Sequence, residues 1–121
     1  NGGDGYLYIG TCGGTLCRLD PKTAEVTYLA KPAPTARLPG LIVWKDSLLL
    51  GCMGDDNDSV LFAYDRDNGS VHHLGPLVDT ETGLTLFRVH DLRLMGENTV
   101  YVAETDVPDR SGYLWECEID F

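Results

Sequence analysis

The sequence predicts an all-β chain built from repeats of one antiparallel module, and three observations carry that reading. Short stretches alternate apolar and polar residues, and each is bounded by Gly, Asn, Asp or Pro. No segment shows the apolar spacing of an amphipathic helix. Three segments also align on one another as turn signal, strand, loop, second strand and acidic terminator.

The first copy runs from Asp4-Gly5 through Tyr6–Thr11, turns at Gly13-Gly14, and returns over Thr15–Asp20. The second opens at Asp46-Ser47, runs through Leu48–Cys52, crosses an acidic loop and returns over Val60–Asp65. The third opens at Asn98, runs through Thr99–Glu104, and returns after a longer loop over Trp115–Asp120. Aligning Asp20, Asp65 and Asp120 gives periods of about 45 and about 55 residues, lengths that suit a four-stranded unit with variable loops.

Because side chains alternate across a strand, Leu19, Tyr64 and Ile119 share a side with Cys17, Phe62 and Cys117, and with Thr15, Val60 and Trp115. That side is expected to pack on the neighbouring module, with the small residues Gly10, Gly51 and Ala103 coinciding where sheets approach closely. Outer strands follow at Glu25–Leu29, after a Pro21–Ala24 turn, and at Val71–Leu74, where Asn68-Gly69 supplies the positive φ of a tight hairpin. Inner strands precede the second and third copies, since Arg37-Leu38-Pro39-Gly40-Leu41 matches Arg88-Val89-His90-Asp91-Leu92. Together these elements predict a partial β-propeller of about two and a half four-stranded antiparallel blades. Numbered from the centre outward, the strands run B-C-D, A-B-C-D, A-B-C, over residues 1–31, 37–77 and 86–121 of one segment.

The run Leu7–Leu16, continued by Leu19-Asp20-Pro21-Lys22-Thr23, resembles the blade repeat of PQQ-like, quinoprotein-type propellers. Kelch and SMP-30-like propellers carry related repeats. The resemblance is clear in the first copy, fair in the second and weaker in the third, and Tyr28 stands where a PQQ-type repeat carries Trp. It implies a fold and not a chemistry, because such repeats serve enzymes and scaffolds alike.

Nineteen acidic against nine basic residues give a formal charge of −10, which argues against nucleic acid and anionic membrane surfaces as partners. The longest apolar runs, Leu41–Trp44 and Leu48–Leu50, are strand-sized and far short of a membrane span. The opening Asn1-Gly2-Gly3-Asp4-Gly5, without Met or a signal peptide, reads as an internal or processed segment. Cys12, Cys17, Cys52 and Cys117 lack zinc-site spacing, and two of them fall in the slot that Phe62 fills, as small core residues do.

Candidate chemistry gathers in the loops expected at one rim. Arg37 and Arg88 recur at equivalent positions, where two guanidinium groups could hold a carboxylate or phosphate or bridge to a neighbouring blade. His90 and Asp91 break the apolar pattern just inside that strand and could supply a general base or a metal ligand, with a hydrogen-bonded structural histidine as the other reading. Glu104 ends a strand where a carboxylate could serve as acid or base, with ion pairing to Arg88 or Arg110 as its structural reading. Asp106, Asp109 and Arg110 continue that charged loop. Asp55, Asp56 and Asp58 offer oxygen ligands of the kind Ca²⁺ takes, without the order of a helix-loop-helix calcium site.

These features are expected to make the chain a scaffold or ligand-binding segment of a larger, exported protein, extracellular or periplasmic. Its partners would be the remaining blades or other copies, with a small molecule or carbohydrate as ligand. The alternative is part of a carbohydrate-active lyase or hydrolase using Arg37, Arg88, His90 and Glu104. No cofactor is predicted; Ca²⁺ at the acidic loop and PQQ, by resemblance, are the alternatives.

Overall fold

The computed structural model describes residues 1–106, 109 and 112–121. Ten strands form: β1 (Leu7–Gly10), β2 (Leu16–Asp20), β3 (Glu25–Ala30), β4 (Gly40–Val43), β5 (Leu48–Met53), β6 (Val60–Asp65), β7 (Val71–Pro76), β8 (Val89–Leu94), β9 (Thr99–Glu104) and β10 (Leu114–Glu118). Helix is absent among the described residues, so the all-β expectation holds. The strands make three antiparallel sheets, each a simple meander in chain order: β1-β2-β3, β4-β5-β6-β7 and β8-β9-β10.

Two of the turns are built alike. The Asp20 carbonyl accepts the Ala24 N–H at 2.8 Å while its carboxylate accepts the Lys22 N–H at 2.9 Å. Asp65 repeats both bonds with Gly69 at 2.8 Å and Asp67 at 2.9 Å. Each aspartate therefore closes its turn by folding its own side chain over it. Ala24 and Gly69 both take positive φ, at 59° and 77°. The second turn spans four residues, so only Gly69 of the Asn-Gly pair takes the left-handed conformation and no two-residue hairpin forms.

The middle sheet is buried on both faces, which is why β5 and β6 read as nearly unbroken apolar runs. On one face Leu49, Met53, Phe62 and Tyr64 pack with Leu16, Ala33 and Leu38. On the other, Leu50, Cys52, Leu61 and Ala63 pack with Val89, Leu92, Val100, Val102 and Ile119. Strand β4 lies between β1 and β8, so the sheets converge on their first strands. Tyr64 and Phe62 turn toward the first sheet, while Ile119, Cys117 and Trp115 turn toward the second. Each sheet thus presents the same side to the one before it.

The small residues do not coincide as the alignment anticipates. Gly10 pairs with Leu16 and lies against Leu38, whereas Gly51 pairs with Phe62 and lies beneath its ring. Both approach one interface, but from opposite sheets. Ala103 pairs with the exposed Leu114 and belongs to the outward side of the third sheet. The register differs by one residue between the first and second copies and by three between the second and third, and an odd slip moves a side chain to the other face.

At one end of the molecule Arg66 ties the first two sheets together. Its guanidinium donates to the carbonyls of Gly2 (2.6 Å), Asp46 (2.7 Å) and Ser47 (3.0 Å), and lies 3.3 Å from Asp4. Trp44 Nε1 donates to the Glu97 carbonyl at 2.8 Å and so links the second sheet to the third.

Candidate functional site

The opposite end collects the loops that carry the charged candidates. The β5–β6 loop, residues 54–59, is its centre. Gly54, Asp56 and Asn57 have φ of 137°, 46° and 74°, so the chain coils tightly there and turns its polar groups outward. Toward the first sheet, the Gly54 N–H donates to the Arg37 carbonyl at 2.9 Å and Thr35 Oγ1 donates to Asp58 at 2.5 Å. Toward the third, the Asn57 N–H donates to the Phe87 carbonyl at 2.8 Å and Thr85 Oγ1 donates to Asn57 Oδ1 at 2.9 Å. The acidic loop is a bracket spanning two neighbouring loops.

Arg37 and Arg88 occupy equivalent places. The Thr105 N–H donates to the Arg88 carbonyl at 2.8 Å, repeating the Gly54-to-Arg37 bond one sheet further on. Both side chains converge on one carboxylate. Arg88 Nε donates to Asp55 Oδ1 at 2.6 Å and Nη2 to Asp56 Oδ1 at 2.6 Å, while Arg37 Nη1 lies 3.8 Å from Asp55 Oδ1. Asp56 first, then Asp55, hold the Arg88 guanidinium above its usual range. Two arginines are thus met by two aspartates, and the charge available to an outside anion is largely neutralised at Arg88. Arg37 differs, because its Nη1 is enclosed without a hydrogen-bond acceptor among the described residues and its Nη2 reaches the Val89 carbonyl only at 3.5 Å.

Glu104 is buried, 8% exposed, beneath the loops. Its carboxylate accepts the Phe87 N–H at 2.9 Å, the Trp115 indole N–H at 3.3 Å and the Tyr113 N–H at 3.4 Å. Those bonds fasten the 77–88 segment to β9 and β10. Asp106, exposed, accepts the Gly112 N–H. Arg110 lies outside the described residues.

His90 and Asp91 stand apart from this group. A register shift between Val89 and Asp91 leaves His90 at a bulge, exposed. Asp91 accepts the Leu92 N–H at 2.8 Å and pairs with Arg93 at 3.2 Å on the surface. The structure therefore brings together Arg37, Arg88, Asp55 and Asp56, sets Glu104 below them in backbone contacts, and leaves His90 and Asp91 further along β8.

Asp55, Asp56 and Asp58 turn to arginines, a backbone N–H and Thr35 instead of toward a common point. Among the described residues no group of three or more His, Cys, Asp or Glu is placed to hold a metal ion. All four cysteines are free, Cys12 exposed and Cys52 buried. Burial and the neighbouring Cys117 push the Cys52 thiol well above its usual range.

Sequence reasoning recognised the two arginines as a pair and gave bridging to a neighbouring module as one reading, but did not name Asp55 and Asp56 as the carboxylates, or Thr35, Thr85 and Asn57. The available signal was opposite charge in adjacent loops of one repeat, where Arg88 follows the acidic loop by one module. No family model, curated protein or solved structure matches this chain.

Proposed function

We propose that this chain is a β-propeller segment, its three sheets being successive blades, and that it acts as a scaffold and binding module of an exported protein and not as a catalyst. The observation that carries this reading is the repeated joint between sheets. The Arg37 and Arg88 carbonyls receive the same backbone bond, and each sheet turns the same apolar side to its predecessor.

In the first sheet the corresponding side is exposed. The cross-strand pairs place Leu7, Leu19 and Val26 in one row and Ile9, Cys17 and Tyr28 in the next. Leu7 and Ile9 are 38% and 37% exposed, Val26 and Tyr28 58% and 64%. A contiguous apolar patch of this kind marks an interaction surface, and a further sheet of the same repeat is the cover it fits. The groups a catalyst would need are engaged elsewhere: Glu104 by backbone and indole donors, and Arg88 by two aspartates.

The test uses the chain itself. Ile9→Lys with Tyr28→Lys should abolish binding of an apolar fluorescent dye and any self-association, with the β-type circular dichroism kept. A wild-type chain that neither binds the dye nor associates would overturn the scaffold reading.

A second reading, a carbohydrate-active lyase or hydrolase, draws its support from Arg37 alone, whose buried Nη1 has no hydrogen-bond acceptor among the described residues. It requires that uronate binding be lost in Arg37→Gln while the melting temperature stays put.

A further inference from the structure

Two Asn-X-Ser triplets, the acceptor pattern for N-linked glycans, stand in this chain: Asn57-Asp58-Ser59 and Asn68-Gly69-Ser70. The fold treats them oppositely. Asn57 belongs to the bracket between sheets. Its N–H donates to the Phe87 carbonyl at 2.8 Å, its Oδ1 accepts the Thr85 hydroxyl at 2.9 Å, and Ser59 is 3% exposed. A sugar on that amide would crowd the 85–87 segment where it closes on the loop.

Asn68 lies in the turn between β6 and β7, the outer hairpin of the middle sheet, and is exposed. This turn closes on itself. The Gly69 N–H donates to the Asp65 carbonyl at 2.8 Å, the Asp65 N–H to the Ser70 carbonyl at 2.9 Å, and the Ser70 N–H to Asn68 Oδ1 at 2.8 Å. The last bond uses only the amide oxygen, which an N-substituted amide keeps. Among the described residues Asn68 Nδ2 makes no hydrogen bond. A side-chain carbon added at Gly69 would meet only the Tyr64 hydroxyl, at 3.9 Å, so the outer surface of the turn is open.

We propose that the folded chain carries an N-linked glycan on Asn68 and none on Asn57. The inference rests on the exported reading, since only a chain entering a secretory compartment meets the transferase. In the transfer, Asn68 Nδ2 attacks the anomeric carbon of a lipid-diphosphate-linked oligosaccharide. The new N–C bond forms as the C–O bond to the diphosphate breaks. The lipid diphosphate leaves with the electron pair, and Nδ2 gives up one proton to a base of the transferase. Transfer acts on the unfolded chain, so the fold is the filter on which site is kept. A glycan on Asn68 leaves every bond of its turn in place, whereas one on Asn57 opposes the joint between sheets. Bulky and soluble, the sugar on Asn68 stands at the outer hairpin, at the end of the molecule opposite the rim loops, and leaves both packed faces of the middle sheet free.

The experiment expresses the chain in eukaryotic cells behind a cleavable secretion signal and maps glycans by peptide mass spectrometry, in the secreted and retained pools alike. The secreted chain should carry one glycan, on Asn68. Asn68→Gln and Ser70→Ala should each lose it, and Asn57→Gln should keep it. Ser70→Ala leaves Asn68 and its backbone bonds in place, so that loss reports acceptor recognition and not a broken turn. Unmodified Asn68 in both pools would overturn the site, and a secreted chain glycosylated on Asn57 would overturn the choice between the two. Enzymatic release of the glycan should leave the melting temperature unchanged or slightly lower. A clear rise on release would contradict an outward-facing sugar. Because the signal is supplied, losing the site leaves the exported-scaffold reading standing, and that reading fails separately in the dye and association test.

Discussion

Arg88 donates through Nε to Asp55 Oδ1 at 2.6 Å, across the gap between the third sheet and the β5–β6 loop of the second. Its second nitrogen takes Asp56 at the same distance. A planar guanidinium held by two carboxylates is an oriented joint that lysine cannot reproduce. The Arg88→Lys chain is therefore expected to melt a few degrees lower than wild type, with the gap narrowing as salt is raised from low ionic strength. A gap that ignores salt would show that Arg88 acts through its stem and not its charge.

Glu104 is expected to matter more than its surface neighbours. Replacing it with Ala removes the acceptor for the Phe87 and Tyr113 N–H groups and the Trp115 indole, at a cost of about 2–4 kcal/mol. Glu104→Gln keeps one carbonyl oxygen and should recover part of that loss. Denaturant unfolding of both variants measures the difference, and equal midpoints would mean the donors find other partners.

Gly51 lies directly beneath the Phe62 ring, where an added methyl collides with ring atoms. Gly51→Ala should destabilise by about 1–3 kcal/mol, the usual cost of overpacking a filled core. Pairing it with Phe62→Leu should return part of the loss, because the shortened side chain vacates the clash. Strict additivity of the two changes in a double-mutant cycle would contradict the contact.

The Asp65 carboxyl is held below its usual range, first by the Asp67 N–H and then by the Ser47 hydroxyl. A depressed folded-state value means the unfolded chain takes up this proton first as pH falls. The contribution of Asp65 is complete above the ordinary aspartate value near 3.9, and it is lost as pH drops through the lower folded value. Thermal melts from pH 7 to pH 2.5 should show wild type more stable than Asp65→Asn at neutral pH. The two curves should converge in the acid limb, and parallel curves would remove the carboxylate from the turn's energetics.

Much of the site was legible as residue types and little of it as partnerships. Arg37 and Arg88 stand out because they occupy the same place in the repeat, and the backbone bonds at their carbonyls repeat accordingly. Their shared partner Asp55 was hidden, because the pairing runs between modules and depends on a loop coiled through three positive-φ residues. His90 reads in sequence as an interruption of an apolar strand. In space it is a bulge, which needs the β8–β9 register to be seen.

Local pattern by itself determined the strand order, the aspartate-closed turns and the side of each strand that packs toward the preceding sheet. Alternation and turn chemistry act over a few residues, and those residues are adjacent in the chain. Tertiary structure alone decided the rest. It brought Gly10 and Gly51 to one interface from opposite sheets and turned Asp55 to an arginine 33 positions away. Both depend on how far one sheet slides against the next, and that offset is set by the fit of distant side chains.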